Sequence, residues 1–170
     1  MRCKNMNEDQ IVQIISKIIF KKHYFVGVTP ANQQIVKYFN SNKHSRGLII
    51  NTDNIGDPGT HWCALHMGKN NTLYFFDSFG RKPQTIPNIW SCIKQFKKKK
   101  LVYSNTPIQS IFSSNCGLYS IYFLFFMHHY CENMNMFIKI FNDDDLSCNE
   151  QIITNLFSEI MSALQIPKPM

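Results

Sequence analysis

The chain has 170 residues, 44% of them hydrophobic, with fourteen Phe and seven Tyr, enough to bury one aromatic core without dividing into two domains. Six cysteines at positions 3, 63, 92, 116, 131 and 148 show no paired spacing, and Lys17, Lys21 and Lys22 interrupt the apolar residues near the N-terminus, so a reducing compartment is expected rather than a secreted, disulfide-stapled domain. The formal charge of +7 leaves room for an anionic partner, while the apolar run over residues 121–127 is too short to span a bilayer.

In chain order, Ile11, Ile14, Ile15, Ile18 and Ile19 fall on one face of a helix predicted over residues 9–20. Thr29-Pro30 ahead of residues 31–34 predicts a second, short helix, because proline suits a first helical turn. A strand is predicted over 48–52, and the loop over 53–60, with Gly56, Pro58 and Gly59, brings the chain to His61. Strands over 61–67 and 72–77 flank a short loop rich in Gly and Asn and should pair as an antiparallel hairpin. A helix over 89–96, a strand over 101–104, a central buried helix over 117–130 and an amphipathic helix over 150–164 complete the prediction. Together they make one α+β domain over residues 1–170, a central mixed or antiparallel sheet flanked by helices.

The candidate chemistry centres on Cys116, where the polar stretch Ser114-Asn115 gives way to the apolar helix beginning at Gly117-Leu118. A thiol at a helix start feels the positive end of the backbone dipole, which favours thiolate. A thiolate nucleophile needs a base, a group to orient the base and donors for an oxyanion. With an odd hairpin loop, for example residues 68–70, Met67 pairs with Asn71 and His61 lies directly opposite Asp77, as base and orienter. An even loop would send the two side chains to opposite faces. Gln109, seven positions before Cys116, supplies an amide N–H for the oxyanion beside the Cys116 backbone N–H.

Other constellations are weaker. His61, Cys63 and His66 are broken as a metal set because 61 and 63 share a strand face and 66 does not. His128, His129 and Cys131 fail because adjacent helical histidines diverge, so no metal is expected. His23 and His44 are expected at the surface. Lys94 and the run Lys97, Lys98, Lys99 and Lys100, joined by Arg81 and Lys82, form either a solvated lysine face or a surface for DNA phosphates.

His61-Trp62, Asp77 in Phe76-Asp77-Ser78-Phe79-Gly80, Gln109 and Cys116-Gly117-Leu118 stand in an order that resembles the adenovirus endopeptidase and, more distantly, the SUMO-specific proteases of the same clan. Tyr24-Phe25-Val26-Gly27, Ile49-Ile50-Asn51-Thr52 and Leu73-Tyr74-Phe75-Phe76 extend the resemblance, roughly over residues 8–130. It implies a cysteine endopeptidase with Cys116 as nucleophile, His61 as base, Asp77 as orienter, Gln109 in the oxyanion hole and Trp62 walling the substrate site. It also implies cleavage at small, glycine-containing sites in viral capsid or core precursors, in the virion and in the nucleus or cytoplasmic factory of an infected cell. No cofactor is required by the sequence. The resemblance implies stimulation by DNA, whereas stimulation by a disulfide-linked viral peptide is put in doubt because residues 97–103 hold no cysteine and Cys92 stands out of place. A monomer with no membrane attachment is expected. Asp77 departs from the Glu common in the adenovirus enzymes but matches the SUMO proteases. The alternatives are an isopeptidase acting on ubiquitin-like modifiers, an acetyltransferase using the same triad, and a non-catalytic DNA-binding or scaffold protein on the same fold.

Overall fold

The computed structural model describes residues 6–18, 23–31, 33–39, 44–57 and 59–164. The helix α1 spans Glu8–Ile18, with Ile11, Ile14, Ile15 and Ile18 buried. Ile19 and Phe20 of the predicted helix lie outside the described residues. Five strands follow: β1 Phe25–Pro30, β2 Arg46–Asn51, β3 Trp62–Met67, β4 Thr72–Phe76 and β5 Lys100–Tyr103. They form one mixed sheet in the order β1-β2-β3-β4-β5. The outer pairs β1/β2 and β4/β5 are parallel and the central pairs are antiparallel. The remaining helices are α2 Pro87–Ile93, α3 Cys116–His129, α4 Met134–Ile138 and α5 Leu146–Ala163.

The chain therefore folds as α+β, with one sequence expectation reversed. Thr29-Pro30 ends the edge strand β1 instead of opening a helix, and the helical turn that follows is a short 3-10 segment, Val36–Phe39. Proline is tolerated at such an edge because it has no N–H to withhold from a ladder.

Both faces of the sheet are covered, which explains why β3 alternates so poorly. All six of its residues are buried: Trp62 and Ala64 face a core with α1, α3, α4 and α5, whereas Cys63, Leu65 and Met67 face a second core with α2 and the 3-10 turn. A strand buried on two sides has no polar face to show. The helix α3 packs across β3 and is apolar nearly all round, as a helix inside a core must be. Ser120 Oγ donates to Trp62 O at 3.1 Å, tying helix to strand next to the site.

Candidate active site

The hairpin of β3 and β4 sets the first half of the site. Gly68 N donates to Thr72 O, leaving a three-residue loop over 69–71 in which Asn71 takes a left-handed φ of 65°, a turn geometry that asparagine tolerates well. The loop is odd, as the sequence reading required, but Met67 pairs with Leu73 and Ala64 with Phe76. Continuing that register puts Cys63 opposite Asp77, so His61 reaches Asp77 diagonally and not by direct opposition. The parity is unchanged, and His61 Nε2 lies 2.9 Å from Asp77 Oδ1.

The turn after β4 fixes the carboxylate. Asp77 Oδ1 also accepts from Phe79 N at 2.9 Å, and Oδ2 accepts from Arg81 Nε at 2.8 Å. Arg81 is thus spent on the site and does not extend the lysine surface. The Phe79 ring stacks on the His61 ring, centroids 4.6 Å apart. Gly80, at φ 67°, lets this turn press against the backbone of residues 105–107, where a Cβ would meet Pro107 N at 2.6 Å. Beside it, Ser78 O accepts from Ile108 N and Gln109 N at 2.9 and 3.0 Å, and Ser78 Oγ donates to Gln109 Oε1 at 2.5 Å. The segment carrying the acid is welded to the segment carrying Gln109.

The second half comes from the loop before α3. Gln109 is buried, and its Nε2 donates to Ser113 O at 3.2 Å and to Ser113 Oγ at 3.1 Å. Ser113 Oγ donates to Glu150 Oε2 at 2.6 Å, Asn115 Nδ2 donates to the same oxygen at 2.7 Å, and Tyr119 OH donates to Oε1 at 3.1 Å. The buried Asn149 amide donates to Ile108 O at 3.0 Å. Two neighbouring residues of α5 therefore hold the loop that delivers Cys116, the first residue of α3. The Cys116 and Cys63 side chains also lie near enough to His61 to raise its pKa.

The electrostatics follow from these contacts. Burial disfavours the His61 imidazolium, but Cys63, Asp77 and Cys116 together outweigh it and raise the ring's pKa above the ordinary imidazole value. Burial and the nearby Asp77 charge push the Cys63 thiol up to about 11, so Cys63 is a neutral thiol at pH 7. The Asp77 carboxylate is then the charge that favours the imidazolium once His61 takes up a proton. Burial raises the Asp77 carboxyl, yet the His61 bond and charge, Arg81 and the Phe79 N–H win and hold it below the usual carboxylate range. A buried carboxylate with this many donors stays ionised.

Trp62 begins β3 beside the site, and its Nε1 donates to Met6 O at 2.9 Å. Met6 and Trp62 also close on Gly117, where a Cβ would meet Met6 Cβ at 3.3 Å. They line a cavity of about 580 Å³ together with Asn51, Ile55 and Gly59. A further cavity of about 610 Å³ lies at the other end of α3, among His23, Tyr24, His44, His128 and Glu132.

His61, Cys63 and Asp77 each bring a metal-binding atom within 4.8 Å of the other two. A cation there would take the imidazole and carboxylate from their mutual hydrogen bond. His66 does not join them. It faces the other side of the sheet, bonded to Tyr24 OH at 2.6 Å and Glu132 Oε1 at 3.2 Å. Lys97, Lys98 and Lys100 are exposed and Lys99 is half-buried in the turn entering β5. Among the described residues Cys63, Cys92, Cys116, Cys131 and Cys148 are free thiols, and no helix is long and apolar enough to cross a membrane. The sequence reading missed Ser78, Phe79, Arg81, Ser113 and Glu150. The first three were signalled only by their place after Asp77, and nothing local marked Glu150.

The mixed sheet pairs His61 with Asp77 beside a buried helix, α3, that begins at Cys116. The sequence matches the adenovirus endoprotease family over residues 25–165, and the chain belongs to that family. It is 31% identical over 124 residues to "Putative thiol protease R355" of Acanthamoeba polyphaga mimivirus, a match covering 62% of this chain and 41% of that protein. The chain thus spans about two fifths of the length of the curated relative it matches. Among solved structures, the central domain of the Lpg1148 protein from Legionella pneumophila shares the fold, with a TM-score of 0.52 and 13% identity over 94% of this chain and 98% of that one. The ASFV pS273R protease aligns with a TM-score of 0.41 and 18% identity, covering 64% of this chain and 43% of that one. ChlaDub1 from Chlamydia trachomatis aligns with a TM-score of 0.48 and 13% identity, over 82% and 71%.

Proposed function

We propose that this chain is a viral maturation endopeptidase whose nucleophile is Cys116. The observation that carries the reading is His61, bonded through Nε2 to Asp77 and acted on also by Cys116, the first residue of α3. In the proposed reaction the thiol proton passes to His61 and the Cys116 sulfur attacks the scissile carbonyl, forming a C–S bond. The Cys116 backbone N–H and one amide N–H of Gln109 hold the oxyanion, the other N–H of Gln109 remaining on Ser113. The tetrahedral intermediate collapses as the C–N bond breaks and His61 returns the proton to the leaving amine. His61 then takes a proton from water, whose oxygen attacks the thioester; the C–S bond breaks, the acid is released, and His61 returns that proton to the Cys116 sulfur. Asp77 fixes the ring and stabilises its charged form throughout, itself staying ionised.

Trp62 is assigned to the substrate wall. Met6 and Trp62 pack against Gly117, the residue after Cys116, and a glycine next to the scissile bond lets a substrate backbone pass closest to such a wall. Capsid or core precursors cut at small, glycine-containing sites are the proposed substrates, in the virion and infected cell. A monomer is the proposed state. DNA bound at Lys97, Lys98, Lys99 and Lys100 is a proposed stimulant.

The test is thiol labelling read by mass spectrometry, comparing the native chain with Cys116→Ala and His61→Ala. Fast labelling confined to Cys116 and slowed by His61→Ala supports the reading; labelling spread evenly over all six cysteines refutes it. Glycine-containing precursor peptides assayed beside a ubiquitin-like modifier conjugate then separate endopeptidase from isopeptidase.

A further inference from the structure

Scattered exposed apolar side chains are normal on a protein surface. Ile111 and Phe112 are different because they are adjacent, 78% and 94% exposed, and sit at the apex of a turn between Gln109 and Cys116. Ser113 N donates to Ser110 O at 2.9 Å and Phe112 N to Ser110 Oγ at 3.3 Å, which closes the turn. Its base is held by Gln109 on one side and Glu150 on the other. A loop fixed this firmly cannot fold over to hide its own apex.

We propose that Ile111 and Phe112 form a substrate-binding site that grips an apolar side chain of the polypeptide being cut. The inference rests on the cysteine-protease reading of Cys116. The occupant is the substrate, because the turn is continuous with the loop that carries Gln109 and Cys116. Phe112 is four residues from Cys116, so their Cα atoms are at most ~15 Å apart. An extended peptide advances about 3.3 Å per residue. The gripped side chain therefore lies within roughly five residues of the scissile bond.

The test uses the full chain and peptides reaching five residues to each side of a cleaved bond, with Leu replaced by Ser one position at a time. For Phe112→Ser and for the Ile111→Ser/Phe112→Ser pair, KM for the Leu-bearing peptide is expected to rise about tenfold with kcat little changed. The loss should vanish for the peptide carrying Ser at one particular position. Both side chains are exposed, so melting should not move. Met136→Ser, another exposed apolar position remote in sequence from the catalytic residues, is the control. Unchanged KM for every peptide, or an equal rise in Met136→Ser, overturns the inference. So does a dimer in sedimentation that Phe112→Ser dissolves, since the patch would then join copies of the chain. If the native chain cuts no peptide and Cys116 is not selectively labelled, the protease reading itself falls, which is a different result.

Discussion

Glu150 is half-buried on α5 and accepts three hydrogen bonds: from the hydroxyl of Ser113, the amide of Asn115 and the phenol of Tyr119. Replacing it with alanine strands all three donors. A hydrogen bond to a charged group is worth roughly 1.5–3 kcal/mol when its partner is removed. The three share one carboxylate that water partly reaches, so the losses should not add, and Glu150→Ala is expected to cost about 2–4 kcal/mol. For a domain of this size that lowers Tm by roughly 5–15 °C. The sharper consequence is kinetic. Ser113 is also the residue that engages Gln109 Nε2, and Asn115 directly precedes Cys116, so a loosened Ser113 misplaces the two proposed oxyanion donors. Loss of one such donor costs about 10²–10³ in kcat. Glu150→Ala, assayed on a cleaved peptide well below its Tm, should lose about 10–100-fold, mostly in kcat, and Glu150→Gln should fall between it and the native chain. A folded Glu150→Ala protein with native kcat would refute the argument that α5 positions this loop.

Asp77→Asn should lower kcat by about 100-fold or more while Cys116 stays labelable, because the ring loses its orienting charge. The raised pKa of His61 gives a sign as well. Its stabilising contribution is fully present below the unfolded value near 6.5 and is lost as pH rises through the folded value. In the proposed mechanism imidazolium is the proton donor to the leaving amine, so the alkaline limb of kcat against pH should lie well above pH 6.5 and move down in Asp77→Asn. Gly80→Ala should destabilise by about 2–4 kcal/mol in a denaturant titration, since it combines a left-handed φ with a clash against immobile backbone; a smaller effect than ~0.5 kcal/mol would contradict that packing. If DNA binds at the lysine turn, the slope of log affinity against log salt should shrink by about three in a Lys97, Lys98 and Lys100 triple alanine variant, and an unchanged slope would place DNA elsewhere.

Local chemistry made the helix start at Cys116, the strands β2 to β5 and the parity of the hairpin legible, because each depends on neighbours in sequence. The exact register was not, since a loop over 69–71 and one over 68–70 use the same residue types, and only the fold shows which closes. Thr29-Pro30 suits a helix start or an edge-strand end equally well, and the parallel pairing with β2 decided between them. Glu150 acts across 35 residues on Asn115, a relation without any periodic or motif signal. Arg81 looked like part of a basic surface until the turn after β4 folded it back onto Asp77.

Ser78, through its backbone oxygen, clasps Ile108 and Gln109 at about 3 Å, so everything between them, α2 and β5 included, is an excursion that leaves and returns at one point. The acid and the glutamine are spliced in space although thirty-one residues separate them in the chain. Length changes at the exposed turn over 97–98 would therefore be absorbed inside the excursion, leaving the spacing between Asp77 and Gln109 untouched. The lysine-bearing surface is thereby free to vary while the distance between Asp77 and Gln109 keeps the same ruler.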